Sequence, residues 1–98
     1  AALPVTDPDA PGYGQWTGPL KQTTEWRFHV DVYAARPDVQ AIVHVHAPHA
    51  TAVALTRAEV PPVHYMIAAH GGATVRCAPY APFGTAALSR LVVAALDG

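Results

Sequence analysis

An α/β layered fold is what this sequence predicts, and three observations carry the prediction. Helix-like and strand-like stretches alternate along the chain, the arrangement that layered α/β folds need. Clusters of glycine and proline separate them. Half of the 98 residues are apolar (51%) and 13% are charged, a composition that supports a packed core rather than a disordered chain.

The elements follow in order. Residues 1–22 hold Pro4, Pro8, Pro11, Gly12, Gly14, Gly18 and Pro19, a density of breakers that reads as an N-terminal loop segment with at most short edge strands. From residue 23 to residue 98 the pattern is that of a folded domain. Trp26, Val30, Tyr33 and Ala34 recur at helical spacing. Thr23 or Thr24 is placed to cap this helix, and Pro37 stops it near Arg36. Ala41–His46 is short, β-branched and bounded by Asp38 and Pro48, which reads as a strand. Pro48 opens an Ala-, Val- and Leu-rich helix to about Arg57, and Val60-Pro61-Pro62 breaks it. Val63–Ala69 is apolar but too short for periodicity to separate helix from strand. Gly71-Gly72 reads as a turn, Thr74–Ala78 as a strand and Pro79–Gly84 as a loop. Thr85 caps a last helix with Leu88, Leu91, Val92 and Ala95 on one face.

Composition also excludes. Six Lys and Arg against seven Asp and Glu leave a net charge of −1 with neutral histidines, so nothing marks a nucleic-acid or anionic-membrane partner. No apolar run approaches the roughly 18–20 residues of a bilayer span. The opening AALPVTDPD has neither the basic segment nor the apolar core of a signal peptide, and Cys77 is the single cysteine. A reducing cytoplasm is the expected compartment.

The chemistry gathers at few positions. His44 and His46 lie two apart in the expected strand, on one face, where two imidazoles can converge on one metal ion. The same pair also suits a half-buried face with its nitrogens on backbone or water. Glu25 stands in the first turn of the expected helix, which favours a carboxylate through the helix dipole alone. The hydroxyls of Thr23 and Thr24, with the first helical N–H groups, can alternatively cradle a phosphate. A carboxylate beside an anion needs a bridging cation, and an ion on His44 and His46 would supply it.

Four stretches in register give the chain a resemblance. Thr23-Thr24-Glu25-Trp26-Arg27-Phe28-His29 resembles the helix-opening motif of L-fuculose-phosphate aldolases, which usually carries two serines before the glutamate. Arg36-Pro37-Asp38 with Ala41–His46 and Ala47–Ala52 is similar to that family's histidine motif. Val63–Ala69 with Gly71-Gly72, and Cys77–Thr85, follow the same family in order and spacing. The likeness covers residues 23 to about 96, and it implies a class II aldolase-like α/β/α sheet of which a central portion is present.

Residue by residue, the resemblance implies the following roles. His44 and His46 match two of three zinc-binding histidines, with Glu25 at the metal as the acid that takes the substrate proton. Tyr65 matches the tyrosine that moves a proton at the aldehyde oxygen, reaching the site from a neighbouring subunit of a homo-oligomer (a tetramer in the family). Thr23 and Thr24 stand where serines touch phosphate, and Phe83 matches an aromatic of the pocket wall. The implied activity is zinc-dependent cleavage of a ketose 1-phosphate to dihydroxyacetone phosphate and an aldehyde. The family's third histidine, in a His-His-Gly motif, and its glycine- and asparagine-containing phosphate loop are not matched. These 98 residues alone are therefore expected to be inactive. A sugar-phosphate epimerase, a dehydratase of the same superfamily and a non-catalytic adducin-like domain are the competing implications. Glu25 and the His64-Tyr65-Met66 run favour the aldolase over the epimerase. Of the remaining histidines, His29 and His64 read most simply as packing residues with a polar tip, His49 as a partly exposed histidine at a helix start that could alternatively support the ligands or contact an anion, and His70 is given no role.

Overall fold

The computed structural model describes Asp7, residues 9–70 and residues 72–97. Residues 1–6 and Pro8 of the expected N-terminal loop, Gly71 of the expected turn, and Gly98 lie outside the described residues. The chain divides into two compact units, one of Ala1–Ile42 with Tyr80–Gly98 and one of Val43–Pro79.

The first unit is organised by two helices that pack on each other, α1 (Trp26–Ala35) and, as the last helix of the chain, Ala86–Ala95. The core side chains among the described residues come from α1: Phe28, Val30 and Val32. Phe28, Asp31 and Val32 fall at i, i+3 and i+4 and share one side of the helix. Of the expected stripe Trp26, Val30, Tyr33 and Ala34, only Val30 is buried, and Tyr33 is exposed. The reason is polar. Asp31 accepts hydrogen bonds from Tyr13 Oη at 3.1 Å and from Ser89 Oγ, and Ser89 is 1% exposed. That anchor turns the Asp31 side of α1 toward the last helix.

The opening loop packs onto the same helix. The Tyr13 ring meets Trp26 edge-on with centroids 4.8 Å apart, and the Arg27 guanidinium lies 5.2 Å from the Tyr13 centroid. Gly14 makes this approach possible. Its φ is +82°, and a Cβ there would come 2.5 Å from the Trp26 ring. At the far end, Arg36 forks onto both oxygens of Asp38 at 2.9 and 2.8 Å and donates to the Leu96 carbonyl at 3.1 Å. Its hydrogen bond is the main reason that the Asp38 carboxyl titrates below its ordinary range.

The second unit holds α2 (Pro48–Leu55) and a 3₁₀ helix (Tyr65–His70). The last helix of the first unit is thus α3 (Ala86–Ala95). Pro48 opens α2 as its spacing predicts, its missing N–H costing nothing in a first turn. Val63–Ala69, open between helix and strand in the sequence, resolves as the 3₁₀ helix. None of this unit's described residues is buried.

Two expected elements differ. Ala41–His46 runs without a ladder, and Thr74–Ala78 contributes a single antiparallel bridge, Val75 to Val60, with N–H···O distances of 2.9 and 3.1 Å. A strand exists only through its neighbour, and among the described residues the pairing goes no further than this one bridge. The helices are therefore the regular elements among the described residues. The N-cap of α1 also shifts. It is Glu25, with no side-chain cap bond, whereas Thr23 Oγ1 accepts the Glu25 N–H at 3.3 Å in a local turn that precedes the helix. At α3 the expected cap stands, with Thr85 Oγ1 accepting from Leu88 N at 3.2 Å.

Candidate active site

The predicted site residues fall into two groups. In the first unit, Thr23, Thr24 and Glu25 occupy consecutive positions at the mouth of α1. The threonines are exposed and Glu25 is half-buried. Trp26 N donates to the Thr23 carbonyl at 3.2 Å, closing a turn at the helix start. The loop before α3 comes close to this mouth. Gly84 has φ +72°, and a Cβ there would sit 3.4 Å from the Thr24 carbonyl oxygen. Phe83, beside it, is 74% exposed. The first-turn N–H groups of α1, with two exposed threonines before them, can receive an anion once a cation offsets the Glu25 carboxylate.

A hollow of this unit lies elsewhere. A groove of about 720 Å³ runs between α1 and α3, with Arg27, Asp31, Arg90 and Leu96 among its walls, and none of the predicted site residues lines it.

In the second unit His44 and His46 are exposed and lie side by side, ring centroids 4.9 Å apart and planes 23° from parallel. A ring nitrogen of one lies within 4.8 Å of a ring nitrogen of the other. The two rings, two residues apart, thus share one side of the segment although it forms no ladder. Two imidazoles within reach of each other fit a borderline-soft divalent ion such as zinc. Pro48 then starts α2, which carries His49 exposed in its first turn.

Tyr65 opens the 3₁₀ helix with its side chain 80% exposed. Its ring tilts against His64, with centroids 4.4 Å apart. The His64 Nδ1 accepts the Met66 backbone N–H at 3.2 Å. The sequence reads His64 as a packing residue, whereas it is exposed and uses its ring on this turn. The signal available was its position, directly before a short helix and after two prolines, where capping side chains sit.

Comparison with known proteins places these residues in a family. The model described as Class II Aldolase and Adducin N-terminal domain matches residues 2–98. A 5-methylthioribulose-1-phosphate/5-deoxyribulose-1-phosphate aldolase of Rhodospirillum rubrum is 52% identical over 85 residues, 87% of this chain and 38% of that protein. An L-fuculose phosphate aldolase of Escherichia coli is 54% identical over 74 residues, 76% of this chain and 34% of that one. A 5-deoxy-D-ribulose 1-phosphate aldolase of Bacillus thuringiensis is 42% identical over 81 residues, 83% of this chain and 36% of its own. The chain spans about a third of the length of these curated relatives.

Proposed function

The chain belongs to the class II aldolase and adducin family, and on that premise we propose that the whole protein is a zinc-dependent sugar-phosphate aldolase. One observation carries the reading: relatives 52% and 54% identical over the 85 and 74 residues they match are named as sugar-phosphate aldolases. The proposed reaction is reversible cleavage of a ketose 1-phosphate resembling L-fuculose 1-phosphate, giving dihydroxyacetone phosphate and an aldehyde. A 5-deoxy- or 5-methylthio-pentulose 1-phosphate is the second reading, favoured by the names of the Rhodospirillum rubrum and Bacillus thuringiensis proteins. Both substrates leave the same phosphorylated three-carbon half.

The proposed division of labour follows from the residue types. His44, His46 and Glu25 would hold the ion, and zinc there would supply a Lewis acid for the carbonyl. Glu25 takes the proton from the carbon beside the carbonyl in the dihydroxyacetone phosphate half. Tyr65 moves the proton at the oxygen that becomes the aldehyde. Thr23 and Thr24 hold the phosphate and fix the substrate's register, and Phe83 walls the pocket. We assign residues 23–98 to the aldolase domain, with 1–22 as the loop segment before it. We also place the protein in the cytoplasm as a homo-oligomer, a tetramer, with Tyr65 serving a site near a subunit interface. On the described residues, no helix is long and apolar enough to cross a membrane.

The test uses the whole protein, both substrate classes and two variants. Chelation should remove metal and cleavage together, and zinc should restore both. Glu25→Gln should lower solvent-proton exchange into dihydroxyacetone phosphate by roughly 10²–10⁴-fold, the usual worth of a general base. Tyr65→Phe should lower cleavage more than that exchange. Equal loss of exchange in both variants would overturn the separate roles, and full activity without metal would overturn the metal-dependent mechanism.

A further inference from the structure

His64 stands between Pro61-Pro62 and the 3₁₀ helix, and its side chain is committed in two directions. Its Nδ1 accepts the Met66 backbone N–H at 3.2 Å. A backbone N–H can only donate, so Nδ1 carries a lone pair and the ring proton of the neutral imidazole sits on Nε2. The arrangement copies a helix N-cap with imidazole in the place of a hydroxyl or carboxylate. The carbonyl of the same residue accepts Ile67 N at 3.1 Å. Side chain and main chain of His64 thus both fasten the first turn, and Tyr65 is the residue enclosed by those two bonds.

The phenol itself is a different matter. At 80% exposure it has no packed wall to choose its rotamer. Among the described residues, its ring contact is the His64 imidazole, centroids 4.4 Å apart and planes 32° from parallel. The capping bond fixes the imidazole, and the imidazole in turn limits the swing of the phenol.

We propose that His64 is a positioning residue for Tyr65: its Nδ1 caps the turn and its ring braces the phenol for proton movement at the aldehyde oxygen. This rests on the reading of Tyr65 given above. A group that must hand over one proton at one oxygen is sensitive to sub-ångström placement. The step that Glu25 performs on the other half of the substrate does not pass through it.

Two variants separate the contacts in the whole protein. His64→Phe keeps a ring and loses the acceptor. His64→Asn keeps an acceptor for the Met66 N–H, as in an Asx turn, and loses the ring. Each should lower kcat for cleavage by roughly three- to tenfold, about the worth of one hydrogen bond or ring contact, and His64→Ala should fall further. Proton exchange into dihydroxyacetone phosphate should stay at the wild-type rate in all of them. In a Tyr65→Phe background, His64→Ala should add nothing, because its only route to the chemistry is gone. Cleavage unchanged in the variants, exchange falling in step with cleavage, or full additivity with Tyr65→Phe would each overturn the proposal. Nitrogen-15 NMR of the His64 ring gives a readout apart from activity: a neutral ring protonated on Nδ1 also overturns it. A wild-type protein that cleaves no sugar phosphate while showing the Nε2-protonated ring would sink the functional reading, and with it the role for Tyr65, yet leave the cap standing.

Discussion

Asp31 illustrates what single residues contribute here. One carboxylate receives Tyr13 from the opening loop, Ser89 from α3 and, at 4.0 Å on its own helix, the Arg27 guanidinium. The partners lie 18 and 58 residues away along the chain, so the helical pattern around Asp31 gave no hint of them. In the sequence it reads as a spacer between apolar positions. The consequence is a pH dependence. Burial first, and the hydrogen bond to Asp31 second, push the Tyr13 phenol above its ordinary 10.0. The fold prefers the neutral phenol, so this contribution is complete below pH 10.0 and is lost as pH rises through the folded value. Urea titrations of the whole protein on either side of that pH should show stability falling on the alkaline side. Tyr13→Phe should flatten the decline, and an unchanged slope in that variant would rule out the phenol as its source.

Among the elements, those defined by local chemistry were the readable ones. Pro48 at the start of α2 and Thr85 before α3 act within one turn of themselves, and each stands where the sequence puts it. The expected strands depend on partners remote in sequence, and no local signal says whether a ladder forms. The mouth of α1 falls between these cases: the threonines were recognised, but Thr23 spends its hydroxyl on a turn at Glu25 and leaves the helix uncapped by a side chain. That difference gives a prediction. Thr85 Oγ1 accepts from Leu88 N at 3.2 Å while donating to the Pro82 carbonyl at 2.7 Å. Thr85→Ala should therefore cost about 1 kcal/mol, the typical worth of an N-cap, and Thr85→Ser should recover most of it. The same pair of changes at Thr23 should have a smaller effect. Denaturant midpoints at constant slope measure all four variants, and equal costs at the two threonines would contradict the cap assignment.

At the scale of the whole chain the two units differ in what holds them. The first buries Phe28, Val30 and Val32 and ties α1 to α3 through Asp31 and Ser89. The second buries no described side chain; Val43, Leu55 and Val63 are at least 80% exposed. An eight-residue helix of Pro, His, Ala, Thr, Val and Leu has almost no polar face, and helices that are apolar all round belong inside larger assemblies. Isolated helices of that length are also marginal in water. The two candidate metal-binding histidines and the candidate proton-handling tyrosine thus sit on the unit with the least packing, where rigidity has to come from local devices such as the His64 cap. Hydrogen exchange on the 98-residue chain should separate the units: amides of α1 and α3 protected, amides of α2 exchanging close to the unprotected rate. In the whole protein the α2 amides should become protected by orders of magnitude, since the proposed metal site could not keep its geometry next to a fraying helix. Strong protection of α2 in the 98-residue chain would mean that local structure suffices, and unprotected α2 amides in the whole protein would mean that its apolar surface stays open to water.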